Sequence, residues 1–391
     1  MRPGLPVCLS RRPHRLAQEA VPVHWRPRVA AVVLIALLPW MTGEVPRWSS
    51  PRQAALADYL SSCQDGAGAL RNRPNEPTVT PYFANYAALA LLDTPRGPAL
   101  ARAQLNWYLS RLNGRDRYGL SNTVYDYRPD SRDPPGYDSA DAYAATLLSL
   151  ARTYVERTGD WAWARANQPK LAGVAGLLIS LQDPDGLIRT GGPSVHRFLM
   201  DNAEDYRGLM DWAWLLRGLG HRQSAVEVEQ GAARLAAAVD RILWEPASQA
   251  YLWVSPPWPP DPEEAQKYRP DWKRWYADTV AQVYPALFEL PQPAGRAAAA
   301  YRHLGQAFPR WTQGEIPDTF PWLVAGLGAL RSGDPGSAQQ ILHYAETAFP
   351  AGRGWSSHRW YSLEAASELR LRTALETPAW NIAWRILDGS Y

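Results

Sequence analysis

The chain has 391 residues, 46% apolar and 20% charged, which is enough to form a substantial core and unlike the composition of a disordered protein. Its two cysteines, Cys8 and Cys63, are too few for a disulfide scaffold or a thiolate zinc site. Residues 1–47 contain seven Arg against two acids, so the rest of the chain is nearly neutral, which argues against nucleic acid as a partner. The chain has 19 Trp and 19 Tyr but only 6 Phe. Trp and Tyr combine a flat ring with a polar group, which suits hydrated surfaces where side chains stack on a ligand.

The first 47 residues have the layout of an export signal. Arg26 and Arg28 precede the apolar run 29–38, which small and polar residues follow. A buried core helix is the alternative interpretation of this run, and no A-x-A cleavage site follows it. We predict an exported protein that is secreted, periplasmic or tethered to the outer face of the inner membrane, with 1–47 as a signal peptide or an uncleaved anchor and linker. No apolar run of 18 residues predicts a membrane span in the mature domain.

From residue 51 onward, apolar residues recur at helical spacing. The clearest case is 139–158, where Ala140, Tyr143, Leu147 and Ala151 fall on one stripe. The spacing predicts twelve helices, at 52–63, 82–93, 97–112, 139–158, 162–181, 203–219, 222–243, 278–289, 295–307, 319–331, 336–348 and 358–375. Short segments in the loops predict small β-hairpins at 119–125, 185–189 and 249–253.

A repeat is visible at the helix starts. Polar or aromatic clusters open every second helix, at 81–85, 137–141, 200–204, 276–278, 316–318 and 356–358. The helices between them begin with ordinary caps or turns, such as Gly159-Asp160. Six helical hairpins whose inner helices point their N-termini at one mouth describe a closed ring. We therefore predict an all-α fold, an (α/α)6 toroid in a single domain over 48–391, in preference to two all-helical domains.

The acidic residues at these helix starts can each be interpreted singly as helix caps or capping-box partners: Asp138, Asp201, Glu204, Asp278 and Asp318. In a toroid, however, all of them ring one mouth together with Tyr and Trp side chains from the loops. Carboxylates grouped in such a site raise one another's pKa values. Glycoside hydrolysis needs two carboxylates on opposite sides of the scissile bond, and aromatic faces stack on sugar rings. The pattern predicts carbohydrate chemistry.

Other chemistries fit less well. The seven His are scattered, and the sequence has neither a nucleophile elbow nor a phosphate-binding loop. Cys63 lies in a predicted outer helix, where a thiol is a poor nucleophile. Terpenoid cyclases share the helical toroid, but their D-x-D-D motif is absent. We expect no metal and no organic cofactor.

Three stretches carry a family resemblance: an Asp-rich helix start at 138–147, Tyr-Ala-Asp-Thr at the start of 276–285, and Pro-Tyr-Phe-Ala-Asn at the start of 81–89. There the chain resembles the six-hairpin glycosidase superfamily, and in particular glycoside hydrolase family 8 and its exported relatives. The resemblance implies that Asp278 is the catalytic base and that an Asp of 138–147 holds the distorted sugar. It implies a general acid Glu at the start of the first inner helix.

The sequence departs from the family at this acid, because Tyr82 stands where the family has Glu. A Tyr is a weak acid at neutral pH, since its unperturbed pKa is near 10. Glu76, Glu204 and Asp138 are the candidate acids, and Glu76 can equally be a solvated loop carboxylate. The candidate sugar-binding residues come from the helix-start clusters and the loop aromatics, and they are Tyr82, Asn85, Tyr137, Asp141, Asp201, Asn202, Trp275, Tyr276, Asp318, Trp355 and His358.

The leading prediction is an exported, monomeric glycosidase that acts on a polysaccharide or oligosaccharide. Asp278 would activate water while Glu76 or Glu204 protonates the leaving oxygen.

Two alternatives stay open. The first is a uronide hydrolase, lyase or epimerase on the same toroid, which basic side chains at the mouth would favour: Arg71, Arg73, Arg128, Arg197 and Arg207. The second is a non-catalytic polysaccharide-binding component of an exopolysaccharide assembly or export system. The loss of the family acid at Tyr82 favours this second alternative.

Overall fold

The computed structural model describes residues 50–376. The predicted export segment lies outside the described residues and stays a prediction. Among residues 50–376, no helix is long and apolar enough to cross a lipid bilayer. The described chain is almost entirely helical, with four strands of two residues each.

The α-helices in chain order are α1 (Pro51–Ser62), α2 (Pro81–Leu91), α3 (Gly97–Leu109), α4 (Ala140–Thr158), α5 (Trp161–Leu181), α6 (Leu199–Gly218), α7 (Arg222–Ala238), α8 (Pro262–Lys267), α9 (Tyr284–Leu287), α10 (Arg296–Ala307), α11 (Val324–Arg331), α12 (Pro335–Ala348) and α13 (Ser362–Glu376). A π-helical turn, Val239–Leu243, extends α7. A π-helical turn, Trp275–Thr279, and a 3-10 turn, Val280–Val283, lead into α9. Shorter 3-10 turns occupy Trp311–Gln313 and Arg353–Ser356.

The strands form two antiparallel pairs in the loops. Strand β1 (Arg197–Phe198) pairs with β4 (Val254–Ser255), and β2 (Trp244–Glu245) pairs with β3 (Ala250–Tyr251). The β2–β3 hairpin corresponds to the one expected around 249–253. At 119–125 and 185–189 the described chain has isolated bridges or turns in place of strands.

Six helices pack in succession into a closed inner ring. Helix α2 contacts α4, α4 contacts α6, α6 contacts α9, α9 contacts α11, α11 contacts α13, and α13 returns to α2. Six outer helices cover them: α3 on α2, α5 on α4, α7 on α6, α10 on the turn before α9, α12 on α11, and α1 on α13. We number these hairpins one to six in that order. The predicted all-α (α/α)6 toroid is confirmed.

Close backbone approach holds neighbouring inner helices together. Gly208 of α6 lies against Ala145 of α4, and a Cβ atom at Gly208 would stand 2.6 Å from the Cα atom of Ala145. Only a residue without a side chain fits this contact. The second and third hairpins, which carry most of the buried acids described below, are therefore fixed rigidly against each other.

Side-chain caps occur at some of the outer helices. At α5 the carboxylate of Asp160 accepts a hydrogen bond from the Trp163 amide (3.0 Å), and at α12 Asp334 accepts one from the Ser337 amide (2.9 Å). The inner helices α2, α4 and α6 have no side-chain cap. The first N–H group of α4 donates instead to the carbonyl oxygen of Thr190, and that of α6 to the carbonyl oxygen of Trp253.

At α4 and α6 the candidate acids are not the N-cap residues. The N-cap residue of α4 is Ser139 and that of α6 is Phe198. Asp138 directly precedes the N-cap of α4, and Asp201 lies in the first turn of α6, where it accepts a hydrogen bond from Ser139 Oγ.

The fourth and fifth inner helices differ most from the sequence prediction. Instead of one helix over 278–289, three short helical turns span 275–287, with an extended residue at Tyr276 (φ −97°, ψ 129°). The helix expected at 319–331 begins only at Val324, because Pro321 and Trp322, the latter with φ 55°, keep the preceding residues in a loop. The short helix α8 was not expected.

Candidate active site

Glu204 occupies a cage of tyrosines at the centre of the ring. The hydroxyls of Tyr82 and Tyr86, one turn apart on α2, donate hydrogen bonds to Oε1 of Glu204 at 2.5 and 2.8 Å. Glu204 is only 2% exposed, and burial raises its pKa to about 8, against the opposing effect of the two phenols. At neutral pH this carboxyl group therefore holds a proton.

Three further acids surround Glu204 at the starts of α4 and α6. Ser139 Oγ lies 2.5 Å from Oδ1 of Asp141 and 3.1 Å from Oδ2 of Asp201, so one hydroxyl joins the two carboxyl groups. Burial raises the pKa of Asp141 to about 6. Burial, and then the charges of Asp141 and neighbouring acids, raise the pKa values of Asp201 and Asp205 well above their usual range.

The four acids differ in their access to the mouth. Asp141, Glu204 and Asp205 are buried, whereas Asp201 keeps part of its surface exposed. Asp201 thus combines a raised pKa with partial exposure. Such a carboxyl group can act as a general acid near neutral pH.

Five aromatic rings pack against one another beside these acids, and we call them the aromatic wall: Phe83, Tyr276, Phe320, Trp322 and Tyr361. Tyr276, 57% exposed, stacks on Trp322 with ring centroids 5.2 Å apart and planes inclined by 25°. Phe320 stacks on Tyr361 at 5.0 Å and 16°, and Phe83 meets both edge to face.

The wall stands next to the acids. Although much of the Tyr276 ring is exposed, desolvation at its hydroxyl raises its pKa to about 12, and the charges of Asp201, Asp138 and Asp318 contribute to the rise. Asp138 is exposed at the start of α4, and Asp318 is half-buried in the loop before α11. The carboxyl groups of three different hairpins therefore converge on the hydroxyl of one exposed tyrosine.

Asp278, the expected catalytic base, is not one of the carboxyl groups grouped at the mouth. It is 0% exposed and forms an ion pair with Arg274, whose Nε lies 2.7 Å from Oδ2. Burial raises the pKa of Asp278, and the Arg274 charge opposes that rise. A base that must reach a substrate-bound water needs an accessible oxygen, so this position does not favour the role.

Glu76, an expected candidate acid, is ion-paired in the loop before α2. Its Oε1 accepts a hydrogen bond from Arg73, which also stacks over the ring of Tyr361 at 4.0 Å. This contact turns the Glu76 carboxylate toward Arg73 in the loop. Glu204 and Asp201 suit the role of general acid better.

Three expected sugar-binding residues serve internal packing. Asn85 is buried and donates to Thr146 at 3.1 Å. The hydroxyl of Tyr137 donates to a buried carboxylate, Asp116, at 2.5 Å. The amide of Asn202 bonds the backbone of the segment before α6 through both its oxygen and its nitrogen. The structure does not bring these side chains to the mouth.

The remaining expected binding residues include both buried and exposed side chains. Trp275 is buried and packs nearly parallel to Trp311, and Trp355 is buried and stacks on Trp360 at 6.1 Å and 7°. His358 is exposed. Of the expected residues, those that the structure places together at the mouth are Tyr82, Asp138, Asp141, Asp201, Glu204, Tyr276 and Asp318.

Sequence reasoning missed several residues of the site. Asp205 directly follows Glu204 and could have been found by extending the acidic cluster 201–204 by one residue. Trp322 and Phe320 follow the cluster 316–318 in what was expected to be a helix. Glu364 lies in the first turn of α13, is 2% exposed, and burial raises its pKa to about 7. Its sequence neighbours give no sign of a site.

The arginines that would favour a uronide substrate are all engaged by the protein. Arg71 donates to the carbonyl of Cys63, and the other four pair with carboxylates: Arg73 with Glu76, Arg128 with Asp126, Arg197 with Asp185 and Arg207 with Asp211. None of the five is offered as a free partner for a substrate carboxylate.

Comparison with known proteins supports the architecture. No protein-family model and no curated protein sequence matches this chain. Among solved structures, a family 78 rhamnosidase of Bacillus sp. GL1 matches with a TM-score of 0.57 at 15% identity, over 84% of this chain and 35% of that chain. A rhamnosidase from Klebsiella oxytoca with rhamnose bound matches with a TM-score of 0.56 at 14% identity, over 84% of this chain and 65% of that chain.

A third solved structure is matched over almost its whole length. It is a family 63 mannosylglycerate hydrolase from Thermus thermophilus in complex with glucose, with a TM-score of 0.56 at 14% identity, over 82% of this chain and 99% of that chain. The chain thus spans about a third and two thirds of the two rhamnosidases and nearly all of this hydrolase. At these identities the similarity shows the six-hairpin glycosidase fold, and the narrower resemblance to family 8 stays a prediction.

Proposed function

We propose that this protein is an exported glycoside hydrolase that cleaves a polysaccharide or oligosaccharide by carboxylate acid/base catalysis at the mouth of the toroid. The observation that carries the proposal is Asp201, a partly exposed acid whose pKa is raised by burial and by neighbouring carboxylates, next to Tyr276 of the aromatic wall. The enzymes that share the fold act on sugars, which agrees with this proposal but does not by itself decide it.

Asp201 is the proposed general acid. Glycosidic oxygens must be protonated as they leave, and a carboxyl group can do so near neutral pH only if its pKa is raised. Asp201 meets this condition because it is desolvated and because the negative charges of Asp141 and Asp138 disfavour its ionisation. Glu204, one turn further along α6, is buried beneath it with its Oε1 occupied by two phenols, and we assign it to shaping the local field.

Asp318 is the proposed partner carboxylate. It belongs to the fifth hairpin, whereas Asp201 belongs to the third, and the charges of both act on Tyr276. We assign the two carboxyl groups to opposite sides of a sugar held at Tyr276, as hydrolysis with water activation or direct attack requires. The exposed Asp138 is left to bind sugar hydroxyls.

The alternatives are weaker on this geometry. A uronide substrate would need a free cationic partner, and the five candidate arginines are already paired within the protein. A purely binding role leaves unexplained why acids with raised pKa values cluster beside the aromatic wall, since binding alone gains nothing from burying them.

Purified protein should be tested for reducing-end release from neutral, amino-sugar and uronic-acid polysaccharides, with Asp201→Asn and Asp278→Asn in parallel. We expect release from a neutral or amino-sugar polymer, loss of release in Asp201→Asn, and retention in Asp278→Asn. Loss in Asp278→Asn with retention in Asp201→Asn would reject the acid assigned here. Tight binding of a polymer without any release, in all three proteins, would establish the binding component instead.

A further inference from the structure

The loop that carries part of the aromatic wall is strained at Trp322. This residue has φ 55°, in the left-handed region that a bulky side chain rarely occupies. Such a conformation persists only where surrounding contacts hold it, and it is found most often at functional sites. The stacking of Trp322 on Tyr276 depends on this backbone conformation, because the φ and ψ angles set the direction of the side chain.

The contact that holds it comes from a different hairpin. Glu364, in the first turn of α13, reaches across to the start of α11 and accepts hydrogen bonds from the backbone N–H groups of Trp322 and Leu323, the latter at 2.9 Å. Glu364 is 2% exposed. The Glu364 carboxyl group therefore ties two consecutive backbone amides at the start of α11 to the first turn of α13.

A second contact from the sixth hairpin secures the other end of the same loop. Nε of Arg359 donates to the carbonyl oxygen of Thr319 at 2.7 Å. Phe320 and Trp322 lie between Thr319, held by Arg359, and Leu323, held by Glu364. The proposed partner carboxylate Asp318 directly precedes Thr319. Contacts from α13 and from the segment before it therefore fix the position of the aromatic wall relative to the acids.

We propose that Glu364 is a positioning residue that fixes Trp322 in its left-handed conformation and thereby sets the affinity of the aromatic wall for the sugar. This inference rests on the proposed function and adds a specificity-determining residue that contacts no substrate itself. Glu364 acts through Trp322, so its loss changes substrate binding more than the chemical step.

Two measurements test the proposal in Glu364→Ala and Glu364→Gln. Hydrogen exchange by mass spectrometry reports the amides of 319–326 directly, and it requires no substrate. Steady-state kinetics on the 4-nitrophenyl glycoside that the wild type hydrolyses fastest separates KM from kcat. Asp211→Ala is the matched control, because it removes another carboxylate that is 2% exposed, from α6.

In Glu364→Ala we expect exchange of 319–326 to be about tenfold faster or more, because two amides lose their acceptor, and KM to rise about tenfold with kcat within about threefold. Glu364→Gln keeps a carbonyl oxygen at the same place and should restore both values to near the wild type. Trp322→Ala should raise KM as much as Glu364→Ala, and the double variant no further, because the two residues act as one unit.

Unchanged exchange of 319–326 in Glu364→Ala would overturn the clamp. Equal loss in Asp211→Ala, or a fall in kcat with constant KM, would overturn the role in sugar affinity. Absence of glycoside hydrolysis by the wild type would reject the proposed function alone, because the exchange measurement would still decide whether Glu364 fixes Trp322.

Discussion

The negative charge of Asp141 should raise the pKa of Asp201, so removing the Asp141 charge should lower that pKa. The two carboxyl groups meet the same Ser139 Oγ at 2.5 and 3.1 Å, so their nearest oxygens lie no more than roughly 6 Å apart. At that separation and an effective dielectric constant of about 20, a negative charge on Asp141 disfavours ionisation of Asp201 by about 3 kcal/mol. This energy corresponds to about two pKa units.

In Asp141→Asn the pKa of Asp201 should therefore fall by about two units. Because the acid works in its protonated form, activity should be lost at a correspondingly lower pH. The assay is kcat/KM against pH for wild type and Asp141→Asn, in which the alkaline limb reports the pKa of the free enzyme's acid.

Asp211→Asn is the control, because it alters a buried acid of α6 that lies beside Arg207 rather than beside Asp201. The alkaline limb of its profile of kcat/KM against pH should coincide with that of the wild type. An alkaline limb that stays in place in Asp141→Asn, or that moves to higher pH, would refute the electrostatic reasoning.

Three further outcomes follow from the same structure. Acids whose pKa is raised on folding stabilise the protein most at low pH, so the melting temperature should fall as pH rises from about 4.5 through the pKa of Glu204 near 8, and Glu204→Gln should flatten this slope in differential scanning fluorimetry. Asp278→Asn should keep kcat within about tenfold of the wild type. It should lose about 1–2 kcal/mol of stability, because its partner Arg274 is partly exposed and can turn to solvent. A fall in kcat of about a thousandfold would return Asp278 to the mechanism. Gly208→Ala should reduce the free energy of unfolding by about 1–3 kcal/mol in urea titration, since its Cβ meets Ala145, and unchanged stability would show that α4 and α6 can separate.

The toroid could be predicted because its signal is repeated along the chain. Helical spacing of apolar residues located most of the inner and outer helices within a few residues, as at α4, expected at 139–158 and found at Ala140–Thr158. The alternation of polar clusters with ordinary caps at the helix starts indicated which helices face the mouth.

The site was predicted less completely, because burial and pairing are decided by residues distant in sequence. Asp201 and Asp278 look alike as acids near helix starts, yet one keeps an exposed edge among like charges and the other is neutralised by Arg274 four residues before it. The clamp from Glu364 to the Trp322 amide joins residues 42 positions apart in the sequence and has no motif. Nothing local in the sequence indicates such a contact.

The central claim is that Asp201 donates the proton to the leaving oxygen, and the most direct test compares two leaving groups in Asp201→Asn. A 4-nitrophenolate needs little protonation to leave, whereas a sugar alcohol needs it fully. We predict that the variant loses about 10²–10⁴-fold in kcat/KM on an oligosaccharide, the contribution typical of general acid catalysis, and far less on the matching 4-nitrophenyl glycoside. Equal losses on both substrates, or full activity on the oligosaccharide, would contradict the account.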